Sequence, residues 1–196
     1  MKHSTRLGRL FCAGLCVLTL AACRSATTRL HSLSALTGAQ TTVNYAGPAV
    51  RVDAVHLPAE MDRAEIVTQS AGGGLAVQEF DHWAAPLSKM TQQTLTADLV
   101  ARLPRGKVIL APLDKPDGAL GLKVVILRFS ADSHGVQFVA SWQVSAGKVP
   151  AGGDLVTLKS DAASTAEEVV NRFNELLAQL ADRIVAQLVS AQAISP

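Results

Sequence analysis

Residues 164–192, STAEEVVNRFNELLAQLADRIVAQLVSAQ, place Val169, Phe173, Leu176, Leu180, Ile184 and Leu188 three or four positions apart. At 3.6 residues per turn these six side chains line one stripe of a helix, with Asn171, Glu175, Gln179 and Asp182 largely on the other side. Such a wide stripe must be covered. A sheet is the usual cover. A membrane surface is the rival, but helices that lie on membranes carry many cations on the polar face. This one has only Arg172 and Arg183. Ser164-x-x-Glu167 reads as a capping box, in which hydroxyl and carboxylate satisfy orphan backbone N–H groups reciprocally.

The rest of the chain offers the strands. AVRVDAVHLP (49–58) alternates with Val50, Val52 and Ala54 on one face and Arg51, Asp53 and Val55 on the other, until Pro58 stops it. RAEIVTQS and GLAVQEF flank AGGG (71–74), whose glycines tolerate the positive φ angles of a tight hairpin turn. A phosphate-cradling loop would need a helix straight after the glycines, and a strand pattern follows instead. From Phe80 the spacing turns helical: Phe80, Trp83, Leu87 and Met90, then Leu95, Leu99 and Leu103. Pro86 is tolerable in a first turn and Pro104 closes the helix. KVILA (107–111), LGLKVVILRFSA (120–131), GVQFVASWQVSAG (135–147) and DLVTLKS (154–160) read as four further strands, with DSHG turning between the second and third. In the third, Val136, Phe138, Ala140 and Trp142 share a face. With RLHSLSAL (29–36) as a first strand and residues 38–48 as loop, the order is β-β-β-β-α-β-β-β-β-α. That order predicts an α+β fold: a mainly antiparallel sheet with two helices packed on one face, in a single domain.

The N-terminus sets the compartment. Lys2, Arg6 and Arg9 precede an apolar run, Leu10–Leu20, about half the ~20 residues that a membrane span needs. A basic start, a short apolar middle and small residues after it are the parts of a secretory signal peptide. Leu20-Ala21-Ala22-Cys23 resembles a bacterial lipobox. It implies cleavage of residues 1–22, acylation of Cys23, and residues 24–28 as a short tether to a domain over 29–196. Each buried acyl methylene contributes about 0.8 kcal/mol, so two or three chains hold a protein on a bilayer almost permanently. Arg24 stands where Asp would signal retention at the inner membrane, which points to the inner leaflet of the outer membrane. Five tether residues span at most ~18 Å.

Cleavage at that position also changes the charge. It takes three of the 18 basic residues and none of the 16 acidic ones, leaving the mature chain near −1. No electrostatic case for nucleic acid remains. Cys12 and Cys16 leave with the signal and Cys23 is acylated, so disulfides, thiolate metal ligands and a cysteine nucleophile drop out. Charged residues are 17% of the chain, against a usual ~25%, which fits either an alanine-rich composition or a partly covered surface.

Chemistry is sparse. Asp132-Ser133-His134 holds three triad residue types, but neighbours in sequence cannot aim at one another as a triad requires. His31, His56, His82 and His134 have no His at i, i+4 spacing, so a metal site is not expected. Trp83 and Trp142 read as packing residues, and Glu167-Glu168 favours the positive end of the last helix's dipole. No cofactor motif is present.

Three stretches in order resemble one family. VDAVHLPAEMDRAEIVTQ (52–69) is similar to its opening strand–Leu-Pro–Asp-Arg–strand signature, EFDHWAAPLSKMTQQTLTADL (79–99) to its Trp-containing helix, and LKVVILRFSADSHGVQFVASWQV (122–144) to its central hairpin. The family is the ABC-type transport auxiliary lipoproteins, also called the PqiC family and formerly domain of unknown function 330. The resemblance implies no enzymatic activity and no ATPase. It implies a lipoprotein subunit that docks the MCE-domain protein of an intermembrane lipid transporter at the outer membrane. A ring of copies of this chain would match the symmetric MCE assembly. Leu57, Pro58, Asp62 and Arg63 are the expected partner-binding residues, although Asp62 and Arg63 could instead pair with each other or cap a turn. The chain departs from the family at Arg29-Leu-His-Ser-Leu-Ser, where Arg-Phe-Tyr-x-Leu is expected. Two rival readings are a lipid-anchored periplasmic hydrolase and a purely structural envelope lipoprotein.

Overall fold

A computed structural model describes residues 27–36, 43–69, 72–132 and 135–194. The order is β1 (Arg29–His31), β2 (Val50–His56), β3 (Glu65–Gln69), β4 (Leu75–Trp83), α1 (Leu87–Arg102), β5 (Leu120–Asp132), β6 (Gly135–Ala146), β7 (Val149–Ser160) and α2 (Ala166–Ile194). The α+β class, the two helices and the mainly antiparallel pairing stand as read, with three of the five strand pairs antiparallel. The strands form two sheets where one was expected, and both are mixed: β1-β4-β3, and β2-β5-β6-β7. The parallel pairs are β1 with β4 and β2 with β5. Each joins strands far apart in sequence, where a long crossover makes parallel pairing possible; the β3–β4 and β5–β6–β7 connections are short and give antiparallel pairs.

The stripe of α2 is the floor of the core. Val169, Phe173, Leu176, Leu180, Ile184 and Leu188 are all buried. On β6 the alternation read from sequence holds, with Val136, Phe138, Ala140 and Trp142 buried. Phe173 meets Phe138 edge-on at 5.8 Å between ring centroids and Phe129 at 4.8 Å, and lies 6.4 Å from Trp83 of the small sheet. Both sheets therefore share one core through Phe173. Burying a side chain of this size contributes roughly 1.5–3 kcal/mol.

Two bulges keep apolar residues inward. In β5 the register shifts between Ile126 and Arg128. The extra residue is Leu127, which is exposed, and Phe129 and Ala131 return to the core. In β2 the shift lies between Val52 and Ala54, so Val55 is buried in place of Ala54, reversing the expected face. Asp53 at this bulge keeps its carboxylate with Arg51 Nε at 2.7 Å and Lys115 Nζ at 3.3 Å. Gln92 Nε2 of α1 donates to the carbonyls of Val52 (2.9 Å) and Asp53 (3.2 Å). A strict period of two would have pushed Val55 into water.

Five boundaries differ from the reading. β7 begins at Val149, five residues before Asp154, pairing with β6 from Ala146 onward. Residues 107–111 form no strand; Val50 and Ile109 donate backbone bonds to Lys107 and Val50, and the segment then turns away at Leu110–Leu113 around Pro112, which has no N–H for a ladder. β1 is three residues long, and residues 32–36 continue as extended chain with Leu33 buried. Phe80 and Trp83 belong to β4, because Pro86 holds the residue before it out of the helical region and α1 begins at Leu87. The capping box is one residue later than read. Glu168 Oε2 accepts from Ser164 N, Ser164 Oγ and Thr165 N at 2.7–3.0 Å, while Glu168 N donates to Thr165 Oγ1 at 3.2 Å. Backbone donation from Ser164, first among these bonds, pushes the Glu168 carboxyl down to about 2.

Candidate functional site

The segment after the tether is fastened to the body at three points. On β1, Arg29 donates to Asp81 Oδ2 at 2.7 Å and His31 Nε2 lies 2.7 Å from Asp81 Oδ1. The β1–β4 register sets this geometry, placing Arg29 beside Asp81 and His31 beside Trp83. Asp81 is buried, and the Arg29 guanidinium, helped by His31, holds its carboxyl below the usual range. Next, Ser34 N donates to Asn174 Oδ1 of α2 at 3.1 Å. Last, Leu36 N donates to Asp98 Oδ1 of α1 at 3.3 Å. Residues 29–36 thus cross from the small sheet over both helices.

Asp98 is itself part of a clasp between the helices. Its side chain is fully buried, its Oδ1 takes a bond from Arg102 Nη1 at 3.1 Å, and its Oδ2 has no partner among the described residues. Burial pushes its carboxyl up to about 6, against the pull of Arg102. Arg102 also donates to Asp182 Oδ1 (2.6 Å) and to the Ala178 carbonyl (3.1 Å), both on α2. The i, i+4 spacing of Asp98 and Arg102 was readable as a helix pair; their burial against α2 was not. Nothing in sequence marks Asp81 as the partner of residues 29 and 31.

The expected partner-binding residues lie together on the β2–β3 connection. Leu57 and Pro58 are half-buried, and Asp62 and Arg63 are exposed. The Pro58 carbonyl accepts from Met61 N (2.9 Å) and Asp62 N (3.2 Å), and Met61 is buried beneath the turn. Asp62 and Arg63 do not bond to each other. Asp62 Oδ1 accepts from Ser88 N at 3.1 Å, and Arg63 Nε donates to Glu65 Oε2 at 2.7 Å. The N-cap of α1 is Pro86, which has no side-chain acceptor, so Asp62 caps the helix from another segment.

The two regions meet at one end of the small sheet. β1 runs parallel to β4 and pairs with Asp81–Trp83, so Leu30 and Glu65 lie on either side of His82, away from the β3–β4 turn. The β2–β3 connection reaches the same end, where Trp83 N donates to the Ala64 carbonyl at 2.7 Å.

The remaining histidines are dispersed. His82 Nε2 lies 3.1 Å from the Glu79 carbonyl and His56 is exposed at the end of β2. Among the described residues no three His, Cys, Asp or Glu gather as metal ligands. Trp83 and Trp142 are buried, as read. Ser133, His134 and Cys23 lie outside the described residues. No helix among the described residues is long and apolar enough to cross a membrane.

Two solved structures share the fold. One is the crystal structure of an uncharacterized protein, with a TM-score of 0.69 and 19% identity over 83% of this chain and 99% of the other. The second is a Xanthomonas campestris protein assigned to domain of unknown function 330, with a TM-score of 0.64 and 19% identity over 85% of this chain and 99% of the other. No curated protein matches the chain. The profile of one family, described as the ABC-type transport auxiliary lipoprotein component, matches residues 31–185, a span that takes in Asp81, Asp98, Arg102 and the β2–β3 connection. This chain therefore belongs to the family of ABC-type transport auxiliary lipoprotein components.

Proposed function

We propose that this chain is the outer-membrane lipoprotein subunit of an MCE-type intermembrane lipid transport system, and that it docks the MCE-domain protein on the periplasmic side. Residues 1–22 are the signal peptide, Cys23 carries the acyl chains, residues 24–28 are the tether and 29–196 the docking domain. The domain acts by contact and is not an enzyme.

The observation that carries this reading is the fastening of residues 29–36 through Asp81, Asn174 and Asp98. A free tether would let the domain turn at random above the bilayer. Here the bonded segment starts at Arg29, six residues after Cys23, and is tied to both helices, so acylation limits orientation as well as distance. The β2–β3 connection, with Leu57, Pro58, Asp62 and Arg63, reaches the same end of β4 at which β1 pairs, so the fastened strand and the contact residues are held in one fixed relation where a periplasmic partner approaches. Several copies arranged in a ring would present that end to a symmetric MCE assembly.

The test is capture from membranes in mild detergent, with a photo-crosslinking residue placed at Arg63. The expected product is an adduct with the MCE-domain protein. Capture of none while that protein is expressed overturns the reading. Cys23→Ser is expected to release the chain into the periplasm.

A further inference from the structure

The large sheet is covered by helices on one face only. Val124, Ile126, Phe138, Ala140, Trp142 and Leu158 point to the helix side and are buried. Their neighbours alternate to the other face. There Lys123, Val125, Leu127 and Arg128 of β5 and Leu155, Thr157 and Lys159 of β7 are exposed. The registers set them in rows. His56, Val125, Ser141 and Leu155 stand side by side across all four strands, Lys123 beside Gln143, Arg128 beside Val139 and Thr157, and Lys159 beside Gln137. With strands ~4.8 Å apart and residues ~3.3 Å apart, these rows cover about 20 Å by 14 Å.

Charge on this face is one-sided. Lys123, Arg128 and Lys159 make no ion pair or side-chain hydrogen bond among the described residues. Within the rows no residue of the face is acidic. At the margin, Asp53 is held by Arg51 and Lys115. Asp154 is in register with Trp142, so it alternates to the helix side. Three uncompensated cations thus stand together on a mature chain that is near −1 as a whole. An acidic protein and an anionic bilayer both suit such a face, and composition and position separate them. Surfaces that lie on membranes join Lys and Arg to Trp, Phe and Leu, and basic lipid-binding clusters hold about 4–8 cations. This face has three cations and no aromatic residue. Its apolar side chains alternate with Gln137, Ser141, Gln143 and Thr157, the mixture found in non-obligate protein interfaces. It is also continuous with the β2–β3 connection, because His56 of the first row is followed directly by Leu57 and Pro58. We infer that the open face of the large sheet extends the docking surface and receives an acidic patch of the same protein partner. His56, Lys123 and Ser141 line a hollow with Val125 and Gly153, a seat for one carboxylate side chain beside the Lys123 ammonium. Arg128 and Lys159 meet further acids along the strands, and complementary charge sets the register of the partner. The inference rests on the docking reading above.

The acylated chain is given a photo-crosslinking residue at Thr157 and compared in native membranes with the Arg63 position and with Gln93, exposed on α1. Adducts with the MCE-domain protein are expected at 157 and 63 and not at 93. Lys123→Glu with Arg128→Glu is expected to cut capture of that protein about tenfold, and Lys123→Gln with Arg128→Gln to cut it less. Unfolding midpoints are expected to hold in both, since neither side chain has a partner to lose. Native capture is expected to weaken between about 0.05 and 0.5 M salt, and capture by the charge-reversed chain to stay flat. An adduct at 63 with none at 157, or capture unchanged by charge reversal, overturns this inference and leaves the docking reading intact. No adduct at either position overturns both. Equal adducts at 157 and 93 overturn the assigned face. Flotation of the Cys23→Ser chain with phosphatidylglycerol vesicles, abolished by the same charge reversal, assigns the face to a membrane and overturns the inference.

Discussion

Arg102 on α1 reaches Asp182 on α2 at 2.6 Å, across 80 positions of sequence, while the same guanidinium holds the fully buried Asp98 at 3.1 Å. The two carboxylates differ in what they lose without it. Asp182 is 64% exposed and returns to water, whereas Asp98 has nowhere to go. Removing one member of a buried pair typically costs about 3–5 kcal/mol, and losing a surface pair about 0–1 kcal/mol. Arg102→Ala is therefore expected to lower the unfolding free energy by several times as much as Asp182→Ala. Urea titration of both variants checks this. Equal losses would mean that the clasp acts through Asp182 alone.

Asp98 also gives the stability a pH dependence of unusual sign. Its carboxyl sits at about 6 in the fold, above the ordinary value of 3.8. The folded state then binds the proton more tightly than the unfolded chain, so stability rises as pH falls through 6 and the gain is complete below about 4. The gap is equivalent to ~3 kcal/mol. Asp81, Glu65 and Glu168 shift the other way and lose their contributions below their ordinary values near 4, outside the window from pH 7 to 5. Midpoints of urea unfolding are expected to increase from pH 7 to 5 in the native chain and to stay flat in Asp98→Asn. A native midpoint that falls over that window contradicts a neutral Asp98.

The fold was legible wherever local pattern and tertiary environment agree. The α2 stripe and the alternation of β6 needed no knowledge of their partners, because period alone assigns the buried face. The β2 faces were misread at Ala54 and Val55 because the bulge at Asp53 depends on Arg51, Lys115 and Gln92, three residues supplied by β2 itself, a distant loop and α1. Phe80 and Trp83 fit a helical spacing by coincidence, and Pro86 was the better signal. The parallel pairing of β1 with β4 carries no local signature, so the Arg29–His31–Asp81 cluster was invisible although all three residues were in plain sight. The antiparallel pairing of β3 with β4, in contrast, follows from a contiguous strand–glycine–strand pattern and was read directly.

Asp81→Asn removes a charge but keeps the shape of that cluster. Arg29 and His31 would lose the carboxylate that both use, and β1 has only three residues with which to stay paired. Local opening of such a short terminal strand needs little free energy, so the effect should be confined to residues near 29 and not reach the Phe173 core. Trypsin is expected to cut after Arg29 faster in the variant than in the native chain, with near-unchanged rates at Arg183 within α2. On membranes, that cut frees the folded domain from its anchor. Unchanged cleavage at Arg29 would show that the backbone pairing alone holds the strand.

Asp62 separates the structural from the contact role of the β2–β3 connection. Its Oδ1 is the only side-chain acceptor seen on the first turn of α1 among the described residues, since Pro86 at the N-cap offers none. Loss of a capping oxygen costs about 0.5–2 kcal/mol. Asp62→Ala is expected to lower stability by that amount, and Asp62→Asn, which keeps an oxygen in place, by much less. Partner capture then reads the second role. If Asp62 serves the helix alone, capture per folded molecule is the same in both variants. If the exposed carboxylate also meets the transporter, Asp62→Asn loses capture while its unfolding midpoint holds, and charge reversal at the neighbouring Arg63 deepens the loss.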